Sequence, residues 1–120
     1  MSDEIISAVK QAHSDKTALS IMAGGSKAFY GPSISEQSVV PLDVTHYAGV
    51  LSYEPTELVV TARCGTKLSE LNQLLAEQGQ CLPFEPPSFS DKTTVGGMVA
   101  AGLSGPRRAY AGSVRDFVLG

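Results

Sequence analysis

The chain has 120 residues, enough for one domain at most. Its apolar content of 42% suits a globular protein, and a net charge of −3 argues against nucleic acid as the main partner. No apolar run approaches the ~20 residues that span a bilayer, and the N-terminus lacks the basic region and apolar stretch of a signal peptide. The expected location is therefore the cytoplasm, with peripheral docking at the inner membrane through partners left open.

Ser2 is placed to cap a first helix, with Asp3 and Glu4 in its first turn. Ile5, Ile6, Val9, Ala12 and His13 follow at helical spacing, and His13 reads as the surface end of that helix. Residues 18–23, ALSIMA, read as a short buried strand that runs into Gly24-Gly25-Ser26-Lys27. Backbone N–H groups of such a loop, a hydroxyl and a lysine can receive an anion, although Gly-Gly-Ser also occurs in ordinary hairpin turns. The loop matches neither GxxxxGK[ST] nor GxGxxG, which weighs against a nucleotidase or a standard dinucleotide fold.

Residues 38–42 form a second strand, and Pro41 places it at an edge or strand end. Asp43 and Thr45 suit a local cap, and His46 sits in a polar loop. Two further strands, residues 49–53 and 58–63, are joined by the turn Glu54-Pro55-Thr56-Glu57. Thr66 is placed to cap a helix over residues 67–78, with Leu68, Leu71, Leu74 and Leu75 as its core face and Gly79 as its C′ residue. The two cysteines, Cys64 and Cys81, do not form a CxxC pair and build no metal or iron–sulfur site, so free thiols are expected.

Residues 82–89, LPFEPPSF, are too rich in proline for helix or central strand and read as a rigid connector. They lead into residues 93–112, TTVGGMVAAGLSGPRRAYAG, which hold five of the twelve glycines. Small residues beside Arg107 and Arg108 suit a phosphate-bearing ligand, or equally a close crossing of two elements. Thr93 or Thr94 is expected to cap a helix over residues 95–103 and aim its N–H groups at a ligand. Polar residues Ser104, Arg107, Arg108, Tyr110 and Ser113 gather around Gly105 and Gly112. Residues 114–120, VRDFVLG, read as a strand just beginning, so the chain is expected to be a fragment of something longer.

The order strand–GGSK, LD, YEPTELVVTARCGT, LPFEPPS, TVGGMVAAGLSGPRR, YAG and VRDFVLG resembles the FAD-binding domain of the vanillyl-alcohol oxidase-like flavoenzymes, the PCMH-type fold. Within that family it is most similar to the FAD-binding subunits of bacterial glycolate oxidases. The similarity runs from about residue 18 to residue 120, and the segment 82–120 is its most specific part. The fold implied is α+β, two subdomains with FAD extended between them, here incomplete. Residues 1–17 would be an N-terminal helix and 18–80 a first subdomain with a small mixed sheet. Residues 81–120 would hold the connector, the glycine-rich loop and the start of the second subdomain.

The resemblance assigns Ala23, Gly24, Gly25, Ser26, Lys27 and Ala28 to the FAD pyrophosphate. It places Thr94, Gly96, Gly97, Ala100, Gly102 and Ser104 along the pyrophosphate and flavin, and has Arg115 and Asp116 begin a strand beneath it. Many relatives attach FAD through a histidine in the first loop; Ser26 stands in that loop here, so FAD is expected to be non-covalent. The implied activity is oxidation of glycolate, or another small 2-hydroxy acid, by an FAD-dependent enzyme. Implied partners are a catalytic flavin subunit and an iron–sulfur subunit, with no nucleic acid and no membrane span. The catalytic base and carboxylate clamp are expected in another domain. The alternatives are a flavin-less assembly or interaction subunit, another vanillyl-alcohol oxidase-like FAD-linked oxidoreductase, and an unrelated phosphate-binding domain that uses Gly24–Lys27 alone.

Overall fold

A computed structural model describes residues 2–32 and 38–120. Helix α1 (Ser2–Asp15) leads into strand β1 (Ala18–Met22), and strand β2 (Val39–Asp43) pairs parallel to it, with Ala18 opposite Val39 and Met22 opposite Asp43. Parallel pairing requires a crossover of about a dozen residues or more; residues 23–38 supply it. Pro41 lies opposite Ser20, and β2 has no second neighbour among the described residues, so its missing N–H disturbs no further ladder. Strands β3 (Val50–Glu54) and β4 (Val59–Ala62) form a separate antiparallel hairpin. The single mixed sheet expected for residues 18–80 is thus two distinct pairs among the described residues.

Helix α2 (Leu68–Ala76) is shorter than its sequence pattern and carries the core. Leu68, Leu71 and Leu75 are buried, and Leu68 joins Phe84, Met98 and Val114 in one cluster, flanked by Leu82 and Val95. Gly79 ends the helix with φ +66°, where a side chain would be strained. Its N–H reaches the Ala76 carbonyl, and the Gln80 N–H reaches that of Leu75, the hydrogen-bond pair of a Schellman motif. The Gln80 side chain then accepts from Tyr53 Oη and donates to the Pro55 carbonyl, each at 2.8 Å, which ties the helix end to the hairpin turn.

Thr66 does not cap α2. Lys67 occupies the cap position without a side-chain bond, and Thr66, 1% exposed, turns its hydroxyl onto Gly49. That hydroxyl accepts from the Gly49 N–H at 2.9 Å and donates to the Gly49 carbonyl at 3.1 Å. The free N–H at the start of α2 is taken by the chain instead: Leu68 N–H donates to the Thr93 carbonyl at 2.8 Å.

Two further sequence expectations fail for packing reasons. Residues 18–23 are not a buried strand: Ile21 is 74% exposed and Met22 49%, although α1 packs against β1. Residues 114–120 are not a strand: Val114–Phe117 is a 3-10 helix. Ser113 and Asp116 close a capping box there, in which Asp116 accepts from the Ser113 N–H and hydroxyl. Residues three apart eclipse in a 3-10 helix, so Val114 enters the core while Phe117 meets Phe84 at 5.2 Å between ring centres.

Candidate functional site

The site forms at the carboxyl end of β1, the end at which ligands meet parallel strands in open α/β sheets. Ala23 leaves the strand, and Gly24 turns against the segment that precedes α3 (Val95–Ala101). The approach at Gly24 is so close that a Cβ would overlap the carbonyl oxygen of Lys92. Gly25 then takes φ +66°, and turn bonds from Ala28 N–H to the Gly25 carbonyl and from Tyr30 N–H to the Lys27 carbonyl round off the loop. Among the described residues, the N–H groups of Gly24, Gly25, Ser26 and Lys27 meet no acceptor. Gly24, Ser26 and Lys27 are half-buried and Gly25 is exposed, so these donors are open to acceptors from outside the chain.

Sixty-seven positions further on, the second loop returns to the first: Thr93 Oγ1 donates to Ser26 Oγ at 2.9 Å. Together they enclose a cleft of about 690 Å³. Its wall carries Ala23, Gly24, Gly25, Ser26, Lys27 and Ala28 from the first loop, and Thr94 and Gly97 from the second. Sequence reasoning missed its remaining lining: Ser20, Ile21 and Met22 of β1, Val39 and Pro41 of β2, and Tyr30 and Pro32 of the crossover. Only the parallel pairing of β1 and β2 brings those together, and no local pattern announces it.

Lys27 is the one cation on the cleft wall among the described residues. Its ammonium lies 6.0 Å from the centre of the Phe89 ring, which in turn meets Phe29 edge-on at 5.1 Å. Partial burial pulls the Lys27 pKa below its ordinary value.

The other residues expected at the site lie elsewhere. The first turn of α3 does not aim N–H groups at a ligand. Val95 N–H donates to the Thr66 carbonyl and Gly96 N–H to the Cys64 carbonyl, each at 2.8 Å, and Gly97 N–H to Thr94 Oγ1. Thr94 is the cap, as its sequence position suggests, and the helix stops at Ala101 because Gly102 takes φ +64°. Gly96 faces Cys64, where a Cβ would fall 2.7 Å from the cysteine Cβ, so its smallness serves packing. Ala100, Gly102 and Ser104 do not line the cleft, and the Ser104 hydroxyl is buried without a partner among the described residues. Arg115 and Asp116 sit in the 3-10 helix, are not among the residues lining the cleft, and begin no strand. Arg107 and Arg108 are exposed at the start of α4 (Arg108–Ala111).

The cleft therefore offers open N–H groups, a hydroxyl and an ammonium at one end, and a mainly apolar floor. Its volume falls within the ~300–1,000 Å³ usual for small-molecule sites. A family model described as FAD binding domain matches residues 1–120. The chain belongs to that family. Its fold is the vanillyl-alcohol oxidase-like FAD domain and its cofactor is FAD. The residues present fit that group: the diphosphate needs several N–H donors and little side-chain bulk, which the Gly24–Lys27 loop supplies.

The chain is 51% identical to glycolate oxidase subunit GlcE of Escherichia coli over 99% of its own length and 33% of the relative's. It is 35% identical to the D-2-hydroxyglutarate dehydrogenase of Pseudomonas putida over 80% of this chain and 9% of that protein. It is 27% identical to the D-lactate dehydrogenase of Archaeoglobus fulgidus over 97% and 26%. Among solved structures, alkyldihydroxyacetonephosphate synthase superposes with a TM-score of 0.74 at 26% identity, covering 98% of this chain and 22% of that one. The chain thus spans a third or less of the proteins it matches. Among the described residues, no helix is long and apolar enough to cross a membrane.

Proposed function

We propose that this chain is the diphosphate-holding part of an FAD-dependent oxidoreductase that oxidises a small 2-hydroxy acid, glycolate to glyoxylate being the reading its relatives favour. The observation that carries this is the convergence of two small-residue loops, 67 positions apart, on one cleft of ligand size. A phosphate-binding turn that acted alone would need no second loop. The hydroxy-acid class rests on the relatives, whose names specify glycolate, 2-hydroxyglutarate and lactate.

In this reading Gly24–Lys27 hold the diphosphate, and Thr94 and Gly97 bound its second side. The bound flavin supplies the two-electron acceptor for oxidation of the CH–OH group. The chain's own residues bind and orient; none in the cleft is placed as a general base. FAD is held without a covalent bond, since the first loop presents Ser26 and, among the described residues, no histidine lines the cleft. Partner subunits, a second flavin subunit and an iron–sulfur subunit, would carry electrons onward; a relative is itself named as a subunit. Gly96, Gly102 and Ser104 support the site through packing and helix termination, and residues 81–120 begin a second subdomain that closes over the first.

The test is a titration of the full chain with FAD, followed by flavin fluorescence, with FMN and inorganic phosphate as controls. FAD should saturate the site while FMN and phosphate do not. Gly97→Leu, at a cleft-lining glycine whose added Cβ would lie 3.2 Å from Thr94 Oγ1, should weaken FAD at least tenfold. Equal binding of FMN, or a Gly97→Leu protein that binds normally, would overturn the proposal. Acid precipitation of the loaded protein should release all the flavin into the supernatant.

A further inference from the structure

The contact between Ser26 and Thr93 does more than join two loops. A serine hydroxyl has one hydrogen to give and two lone pairs to receive with. Thr93 Oγ1 and Ser26 Oγ lie 2.9 Å apart; with an anion in the cleft to take the serine's hydrogen, Thr93 is the donor of the pair and fills one serine lone pair. Ser26 lines the cleft, whereas Thr93, only 2% exposed, does not. Thr93 is in turn fixed by its backbone: its carbonyl accepts from the Leu68 N–H at 2.8 Å and its N–H donates to the Ser90 carbonyl at 3.1 Å. A buried threonine anchored to the start of α2 thus sets the rotor of a cleft serine.

We propose that Thr93 is a positioning residue for FAD: it turns the Ser26 hydroxyl into a committed donor toward the anionic diphosphate. This rests on the FAD reading of the cleft. Without the Thr93 hydroxyl nothing on the buried side holds the Ser26 rotor, so FAD binding must also meet the cost of ordering it. Hydrogen bonds to charged groups are the strong ones, so the orientation of a single hydroxyl is expected to be visible in affinity.

The experiment is a double-mutant cycle on the full chain, with FAD dissociation constants as the readout. Thr93→Val keeps the shape and removes the hydroxyl; it should weaken FAD on the order of tenfold. Ser26→Ala should cost about the same, and the double variant should cost no more than Ser26→Ala alone, because Thr93 acts through Ser26. Thr93→Ser should restore wild-type affinity. Additive losses, or a Thr93→Val protein that binds FAD normally, would overturn the proposal. Far-UV circular dichroism of each variant without FAD reports folding. If Thr93→Val does not fold, Thr93→Ser and Ser26→Ala decide: wild-type affinity in the first with a tenfold loss in the second upholds it, and any other pair sinks it. The two readings fail separately. If the wild type does not bind FAD, the cleft assignment falls; if it binds, and Gly97→Leu weakens binding while Thr93→Val does not, only the role of Thr93 falls.

Discussion

At the scale of single residues, Lys27 makes the cleft sensitive to alkaline pH. Burial disfavours its charged form, so its pKa in the free protein lies below the ordinary 10.5. The folded protein therefore binds fewer protons than the unfolded chain between those two values, and the stability cost of burying the charge fades as pH rises through that window. A bound diphosphate reverses the preference, because it favours the ammonium. FAD affinity should then be constant below the free-protein pKa of Lys27 and fall as pH climbs past it toward 10.5. Lys27→Met should weaken FAD by about ten- to hundredfold at neutral pH, the range of a lost charge-assisted hydrogen bond, and should flatten that alkaline fall. An unchanged alkaline profile in Lys27→Met would mean that another group is titrating. Asp43 and Asp116 stand at the opposite end. The Thr45 hydroxyl and N–H hold the first carboxyl below its usual range, and the Ser113 N–H and hydroxyl hold the second. Their contributions are present above the ordinary 3.8 and are lost as pH falls through the lowered folded values.

At the scale of elements, Thr66 separates a helix cap from a loop clamp. A cap only accepts, so Asp performs there about as well as Thr. A residue that both accepts from the Gly49 N–H and donates to the Gly49 carbonyl cannot be replaced in that way. Thr66→Asp should therefore destabilise the protein markedly, since it buries a carboxylate against the Gly49 carbonyl. Thr66→Val should cost about 1–3 kcal/mol for the orphaned Gly49 N–H, since the Gly49 carbonyl keeps the Arg63 N–H at 2.9 Å, and Thr66→Ser should cost less than either. Chemical denaturation of the three variants checks the order; a Thr66→Asp protein as stable as wild type would restore the cap. The helices were legible because leucine spacing, Thr94 and Gly79 are local signals, and each does in the structure what its position implies. Thr66 was misread because a threonine one residue before a cap looks the same in sequence as the cap itself. The fate of residues 114–117 was misread because apolar content outweighed the Ser113-x-x-Asp116 pattern, although that pattern was visible. What the sequence could not reveal was the burial of β1, or which small residues face the cleft and which, like Gly96, face Cys64. Both depend on partners far away in the chain.

At the scale of the whole molecule, one arrangement decides which amides a ligand can still recruit. The radius of gyration of 15.7 Å exceeds the ~13.6 Å of a compact chain of this length, and the core gathers on Leu68 of α2, Phe84, Met98 and Val114. The segment 64–68 and the segment 93–96 bond to each other in both directions, from Leu68 N–H to the Thr93 carbonyl, from Val95 to Thr66 and from Gly96 to Cys64. Those amides are spent on the fold before any cofactor arrives. Among the described residues, the amides of Gly24, Gly25, Ser26 and Lys27 meet no acceptor. Hydrogen exchange measured with and without FAD should divide the two small-residue loops accordingly. In the free protein Val95 and Gly96 should already be protected, while Gly25, Ser26 and Lys27 exchange rapidly. With FAD at a hundredfold excess over its dissociation constant, global stability should rise by about 2.7 kcal/mol, and protection at Gly25–Lys27 should rise well beyond that common increment. Val95 and Gly96 should move only with the global term. If instead the start of α3 gains the larger protection and the Gly24–Lys27 loop does not, the diphosphate sits on the helix terminus, and the four open amides at the end of β1 await something else.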